Sequence, residues 1–221
     1  MSYDFDIVGV LKEGFHRSDG AKLIFGGAIG IYVVLSILVG ALLEFIFPQS
    51  SNELNRYVTS FLEMIFMLPL LVGIMILGIK RARDEELVVP SIFNYYALAI
   101  PLSLAYIAMT LLTIVGFLLL VLPGIYLAVS YAFTYTLIVD KGLGIWEAME
   151  LSRKTVTKQW FKFFGLSLAC GIIIIISALP LGIGLIWSIP MTYITYGLLY
   201  HHLFDDEDMV EENIKEIERN D

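Results

Sequence analysis

Long apolar runs separated by short polar segments dominate the chain. Leu23–Phe47 contains a single charge, Glu44, and Tyr57–Ile79 contains a single charge, Glu63. Ala97–Val139 and Phe163–Tyr200 are longer still, and neither contains any Asp, Glu, Lys or Arg. A helix needs about 20 apolar residues to cross roughly 30 Å of hydrocarbon. Ala97–Val139 as one helix would be about 65 Å long, twice what the bilayer accepts, so both uncharged runs must fold back. Leu122-Pro123-Gly124 is the breaker in the first, and Pro180 with Gly182 and Gly184 in the second. The pattern predicts an all-α bundle of six transmembrane helices, near 23–47, 57–79, 97–121, 123–139, 163–179 and 185–203. These form one membrane domain over 1–204, followed by a tail at 205–221.

Basic residues orient this bundle. Lys12, Arg17 and Lys22 precede the first run, and Lys80, Arg81 and Arg83 follow the second. Lys141, Arg153, Lys154, Lys158 and Lys162 lie between the fourth and fifth, and Lys215 and Arg219 follow the sixth. Only Arg56 falls on the opposite side, so thirteen of fourteen bases mark one face as cytoplasmic. The expected location is the cell (inner) membrane, multi-pass, with both termini in the cytoplasm. Residues 1–20 are too polar for a signal-peptide core, so the first run is expected to stay as an uncleaved anchor.

Composition agrees with lipid as the solvent: 58% of residues are hydrophobic and 16% charged, against about 25% charged in soluble domains. The net charge of −8 is a property of the tail, where nine acids face Lys215 and Arg219 for a net of −7. No basic patch interleaved with aromatics points to nucleic acid. Cys170 is the only cysteine and lies within an apolar run, so no internal disulfide can form.

The even-numbered runs share a pattern. An apolar-Pro pair is followed, after a similar interval, by an acid: Leu68-Pro69 by Asp84, Leu122-Pro123 by Asp140, and Ile189-Pro190 by Asp205. A constant offset relates Arg17, Lys22 and Phe25 to Arg153, Lys158 and Phe161. Three units are expected, each a cytoplasmic interfacial segment followed by a helical hairpin, although any hairpin needs a breaker and any cytoplasmic end carries charge. Internal repeats are common in proteins that alternate access across a bilayer. The segment Gly144–Lys162 combines Ile145, Trp146, Met149, Val156, Trp160 and Phe161 with a basic set, and Asp4–Arg17 reads similarly. Two readings stand: an amphipathic helix in the headgroup layer, or a cytoplasmic helix packed on the bundle. In the first, Arg17, Lys22, Arg153, Lys154, Lys158 and Lys162 would contact anionic lipid.

Candidate chemistry is sparse. Glu44 and Glu63 are the ionisable residues inside the runs, and both fall in the outer half of adjacent helices, where two carboxylates could share a proton or a cation. Snorkelling of Glu44 to the headgroups, with Glu63 protonated or bonded to a neighbour, is the structural alternative. Tyr126, Tyr131 and Tyr135, then Tyr193, Tyr196 and Tyr200, recur at close helical spacing. They could form a polar seam or pathway, or tie helices together. His201-His202 are adjacent and so diverge on a helix, which makes a poor metal site; no metal, cofactor or catalytic constellation is expected.

The motifs Leu122-Pro123-Gly124-Ile125-Tyr126, Glu147-Ala148, Leu151-Ser152-Arg153-Lys154, Gly182-Ile183-Gly184 and Ile189-Pro190 resemble a poorly characterised group of prokaryotic six-span membrane proteins. That group is similar to the membrane domain attached to some bacterial glycerophosphodiester phosphodiesterases. The resemblance covers roughly Gly78–Phe204. It implies six helices and an inner-membrane location, and no phosphodiesterase domain is present to carry that activity. The expected function is a non-enzymatic scaffold, assembly or regulatory component acting with a membrane partner or a second copy. The alternative is a small transporter or lipid-handling protein using the intramembrane carboxylates and the tyrosine seam.

Overall fold

The computed structural model describes residues 4–48 and 53–205, and all regular structure among them is helical. The acidic tail proposed from the sequence therefore lies outside the described residues, apart from Asp205. The helices are α1 (Ile7–Ser18), α2 (Lys22–Ile46), α3 (Glu53–Ala82), α4 (Ala99–Leu119), α5 (Val121–Ser130), α6 (Thr134–Asp140), α7 (Ile145–Thr157), α8 (Trp160–Ala178) and α9 (Leu185–Phe204), with a 3-10 segment at Val89–Leu98 before α4. Among the described residues, five stretches are long and apolar enough to cross a membrane: Lys22–Ile46, Glu53–Ala82, Val89–Leu119, Val121–Asp140 and Trp160–Ala178. They pair into hairpins α2–α3 and α4–α5/α6, and α8 pairs with α9.

The hairpin breakers act close to where the sequence places them. The α4–α5 turn falls at Leu120, whose extended backbone caps α5, rather than at Leu122-Pro123-Gly124. Pro123 instead sits in the first turn of α5, where a missing N–H costs nothing. Gly124 lets the Phe117 ring lie against the backbone, since a Cβ there would meet the ring at 2.3 Å. Pro69 and Pro190 lie inside α3 and α9.

Helix α9 is the centre of the molecule. It is rich in polar groups for a long helix, carrying Ser188, Thr192, Tyr193, Thr195, Tyr196, Tyr200, His201 and His202. Its neighbours α1, α2, α3 and α8 cover it. Two glycines allow α3 and α9 to touch backbone to backbone: a Cβ on Gly197 would stand 2.3 Å from the Gly78 carbonyl oxygen, and one on Gly78 would stand 2.3 Å from that of Tyr193. Small residues at such crossings are the usual route to close helix contact in membranes. Helix α1 joins the other side, where Gly14 faces Thr195 and the Met191 carbonyl. By contrast α2, α4 and α8 turn broad apolar faces outward, with Val34, Ile37, Leu38, Leu111, Leu168 and Ile175 all exposed. Lipid is the medium in which such faces are stable.

Helix α7 packs on the bundle. Its Ala148, Met149, Leu151, Ser152, Thr155 and Val156 are buried against α4, α5, α6 and α8. Of the apolar residues of Gly144–Lys162, Trp146 and Phe161 stay exposed, at 69% and 83%. Helix α1 likewise packs on α9, and Phe5 just before it meets Phe163 with ring centroids 5.1 Å apart.

Gly197→Ala should destabilise the purified protein by about 1–3 kcal/mol through overpacking. Gly26→Ala, at a helical position with open space around it, should change stability by less than about 1 kcal/mol. Thermal unfolding in detergent reads both.

Candidate functional site

Three helix ends converge on one guanidinium. Arg83, just past α3, donates from Nη1 and Nη2 to the two carboxylate oxygens of Asp140 at 2.7 Å each. It also donates from Nε and Nη2 to the two oxygens of Asp205 at 2.6 Å each. Lys141 Nζ reaches Asp205 at 2.8 Å, and His201 Nδ1 reaches it at 2.7 Å. The Tyr200 hydroxyl donates to Asp140 at 2.9 Å. The side chains of Arg83, Asp140 and Asp205 are 14–21% exposed. Arginine's planar fork suits this double bidentate role, which an ammonium cannot reproduce. Burial alone would raise the Asp205 carboxyl, but hydrogen bonds from Arg83, Lys141 and His201 outweigh it and hold it well below the usual carboxylate range. Because cationic and hydroxyl donors occupy the carboxylate oxygens, the cluster is a tie between α3, α6 and α9 rather than a cation site.

Directly above this tie lies a cavity of about 620 Å³ between α3, α5, α6, α8 and α9. Its size is within the range of small-molecule pockets, roughly 300–1,000 Å³. The wall is mostly apolar, with Met75, Ile79, Val129, Phe133 and Ile174 among its members. Hydroxyls of Thr136, Ser167, Thr192, Tyr193, Tyr196 and Tyr200 punctuate it. Tyr196 donates to Ser167, 2.8 Å away, which itself donates to the Phe163 carbonyl. Tyr200 joins the cavity floor to the Arg83 cluster.

One wall is a broken helix. Between α5 and α6 the chain leaves helical geometry at Tyr131–Phe133, with no proline or glycine to announce it. Ser152 of α7 bridges the gap: its hydroxyl accepts from the Phe133 N–H at 3.2 Å and donates to the Ser130 carbonyl at 2.8 Å. Irregular backbone at membrane depth is tolerated only where protein or a cavity meets it. Both conditions hold here, since Ala132 and Phe133 line the cavity. Phe133 also centres an aromatic cluster with Phe163, Tyr196, Tyr200 and Phe204, at centroid distances of 5.6–6.2 Å.

The residues singled out from the sequence distribute unevenly over this site. Tyr193, Tyr196 and Tyr200 line the cavity. Tyr126 turns to α7 and α8, its hydroxyl 2.6 Å from Thr157 and its carbonyl accepting from the Trp160 indole at 3.2 Å. Tyr131 occupies the helix break on the side of Arg153 and Glu150, and Tyr135 lies toward Tyr106 of α4. The six tyrosines are thus not one seam: Tyr126, Tyr131 and Tyr135 each meet different neighbours. Glu44 and Glu63 do not share a site either. Glu63 accepts from Ser36 at 3.3 Å. Ser36 lies two turns of α2 before the exposed Glu44, about 12 Å along the axis.

Most of the expected headgroup bases are engaged within the protein. Arg17 pairs with Glu13 and Asp84, both at 3.0 Å. Lys22 pairs with Asp19 and lies 5.3 Å from the Trp187 ring. Arg153 and Lys154 share Glu150, at 2.7 and 3.3 Å. Lys162 binds Asp4 and the Phe5 carbonyl. Lys158 is exposed on the surface. Two residues organise the site without having been singled out for it: Arg83 reads in the sequence only as an orienting base, and Ser152 only as part of a motif. The one signal toward their roles is the placement of Asp140 and Asp205 at the ends of matching runs.

No family model, curated protein or solved structure matches this chain.

Arg83→Ala would leave Asp140 and Asp205 to share the Lys141 ammonium, at a cost on the order of 2–3 kcal/mol for a partly buried site. Arg83→Lys should recover less than half of that, as read by thermal unfolding. The low Asp205 pKa fixes a pH dependence. Its stabilising contribution is complete above the unfolded carboxylate value, about 3.9, and is lost as pH falls below it. The stability advantage of the wild type over Asp205→Asn should therefore be constant from about pH 5 to 8 and shrink below about pH 4.

Proposed function

We propose that this is a multi-pass protein of the cell (inner) membrane, with both termini in the cytoplasm, that takes a hydrophobic molecule such as a lipid chain into its interior cleft without transforming it. The observation that carries this reading is the 620 Å³ cavity between a discontinuous helix and the tyrosine face of α9. Discontinuous helices at a repeat interface are where membrane transporters place their binding sites. An apolar wall with a few hydroxyls suits a chain carrying an ester, hydroxyl or carbonyl group better than an ion. Glu63 bonds Ser36, two turns from Glu44 along α2, so the cavity and not this pair supports the reading.

The packing of the connecting segments supports this reading. The 3-10 segment packs on α3, α7 packs on α5 and α6, and α1 packs on α9. Each of these segments lies against the returning helix of a hairpin. We take the chain as three hairpin units, each with both ends on the cytoplasmic side. The motif resemblance to the membrane domain of phosphodiesterases agrees with this architecture and lends no activity. A scaffold role with a membrane partner or second copy has no comparable site behind it.

Ala132→Phe would fill the cavity from the broken helix without touching the Arg83 tie. Lipid extracted with the purified wild type should be reduced at least threefold in this variant, by mass spectrometry of washed detergent samples, with unchanged melting temperature. Equal lipid content in both proteins would remove the basis of the proposal.

A further inference from the structure

The tips of α4–α5 and α8–α9 differ from the tip of α2–α3. The latter mixes polar and apolar groups, with Asn55 bonded to the Pro48 carbonyl and Arg56 paired to Glu53 beside exposed Phe45 and Leu54. The other two are wholly apolar and stand in the open: Leu118, Leu120 and Leu122 are 68–81% exposed, and Leu179 and Leu181 are 78% and 97% exposed. Water would not leave such turns uncovered. The α8–α9 turn also pairs most of its own N–H groups. The N–H groups of Leu181, Gly182, Ile183, Leu185 and Ile186 all donate to carbonyls between Ala178 and Ile183, at 2.9–3.3 Å. That is the condition for backbone in hydrocarbon.

Distances place these tips in depth. Tyr126 is six positions from Leu120, and it is bonded to Thr157 and Trp160 at the charged junction of α7 and α8. Trp187 is six positions from Leu181, and it lies 5.3 Å from the Lys22 ammonium at the start of α2. Lys22 in turn is paired to Asp19, whose side chain is 66% exposed. Six positions of helix advance about 9 Å. Even with side-chain reach added, each tip stays far closer to a water-facing cytoplasmic group than the roughly 30 Å thickness of the hydrocarbon. Length does not separate the hairpins, since Lys22–Ile46, Glu53–Ala82, Val89–Leu119, Val121–Asp140 and Trp160–Ala178 are all long and apolar enough to cross; the difference lies in these contacts near the two apolar tips.

We propose that α4–α5 and α8–α9 are re-entrant hairpins, entering and leaving the bilayer from the cytoplasmic side with their leucine tips held in hydrocarbon, while α2–α3 alone crosses completely. Basic residues cannot distinguish the two cases, because a re-entrant hairpin and a crossing hairpin both return their ends to the same face. The lipid-facing surface of this protein is then greatest in the cytoplasmic leaflet, and the cleft between α5, α8 and α9 opens into hydrocarbon rather than into external water.

Single cysteines at Glu53, Leu120 and Leu181, in a Cys170→Ala background, test this on exposed positions where folding is unaffected. In intact cells a membrane-impermeant maleimide should label position 53 at least tenfold faster than 120 or 181. Spin labels at 120 and 181 in vesicles should be more accessible to oxygen than to a water-soluble nickel chelate, and the label at 53 the reverse. External labelling of position 120 or 181 at the rate of 53 overturns the proposal, and so does protection of position 53.

Discussion

Hydrocarbon offers no hydrogen-bond partner, so backbone groups at membrane depth must be paired within the protein, and polar side chains are better placed against protein than against lipid. That constraint governs where α9 can go. With its threonines, tyrosines and histidines it is a poor helix to show to lipid, and four other helices wrap it. The glycine contact with α3 brings two backbones together at Gly78 and Gly197, and α1 covers the opposite flank through Gly14. The exposed faces are left to α2, α4 and α8, whose side chains tolerate lipid at no cost.

The same constraint explains the pairing of the broken helix with the cavity. A gap between α5 and α6 frees backbone groups that lipid would leave unpaired, and Ser152 supplies a partner from α7. Helix α7 must then pack against the bundle, which accounts for its buried face. At the end of the bundle where the basic residues gather, Arg83 draws the ends of α3, α6 and α9 together and closes the cavity from below. Among the described residues the outer halves have no equivalent tie. A cleft closed by charge at one end and bounded by apolar turns at the other is suited to molecules that arrive through the bilayer.

Much of the architecture was legible because lipid imposes simple rules. Uncharged length demanded hairpins, and proline with glycine located their turns to within a few positions. The distribution of bases put their ends on one face. The candidate site was less legible. The helix break at Tyr131–Phe133 has no proline or glycine signal, and it depends on a serine of another helix. Without it, Tyr126, Tyr131 and Tyr135 look like one face; with it they diverge. Glu44 and Glu63 looked level because both lie in outer halves, but helix register sets Glu63 against Ser36. The bases of α1 and α7 suggested lipid contact, yet most have carboxylates from the same helix or its neighbours within reach. Ion pairs of this kind depend on three-dimensional approach, which charge counts cannot convey.

For the bundle to take in a lipid chain, its interior must be a cleft open to the bilayer rather than a packed core. An electron cryomicroscopy map of the protein in lipid nanodiscs, with a bound antibody fragment for size, examines that directly. Elongated density between the α5–α6 break and Tyr196, reaching toward the bilayer, is the result expected. Side chains of α5, α8 and α9 closed on one another, with no space between them, would contradict it.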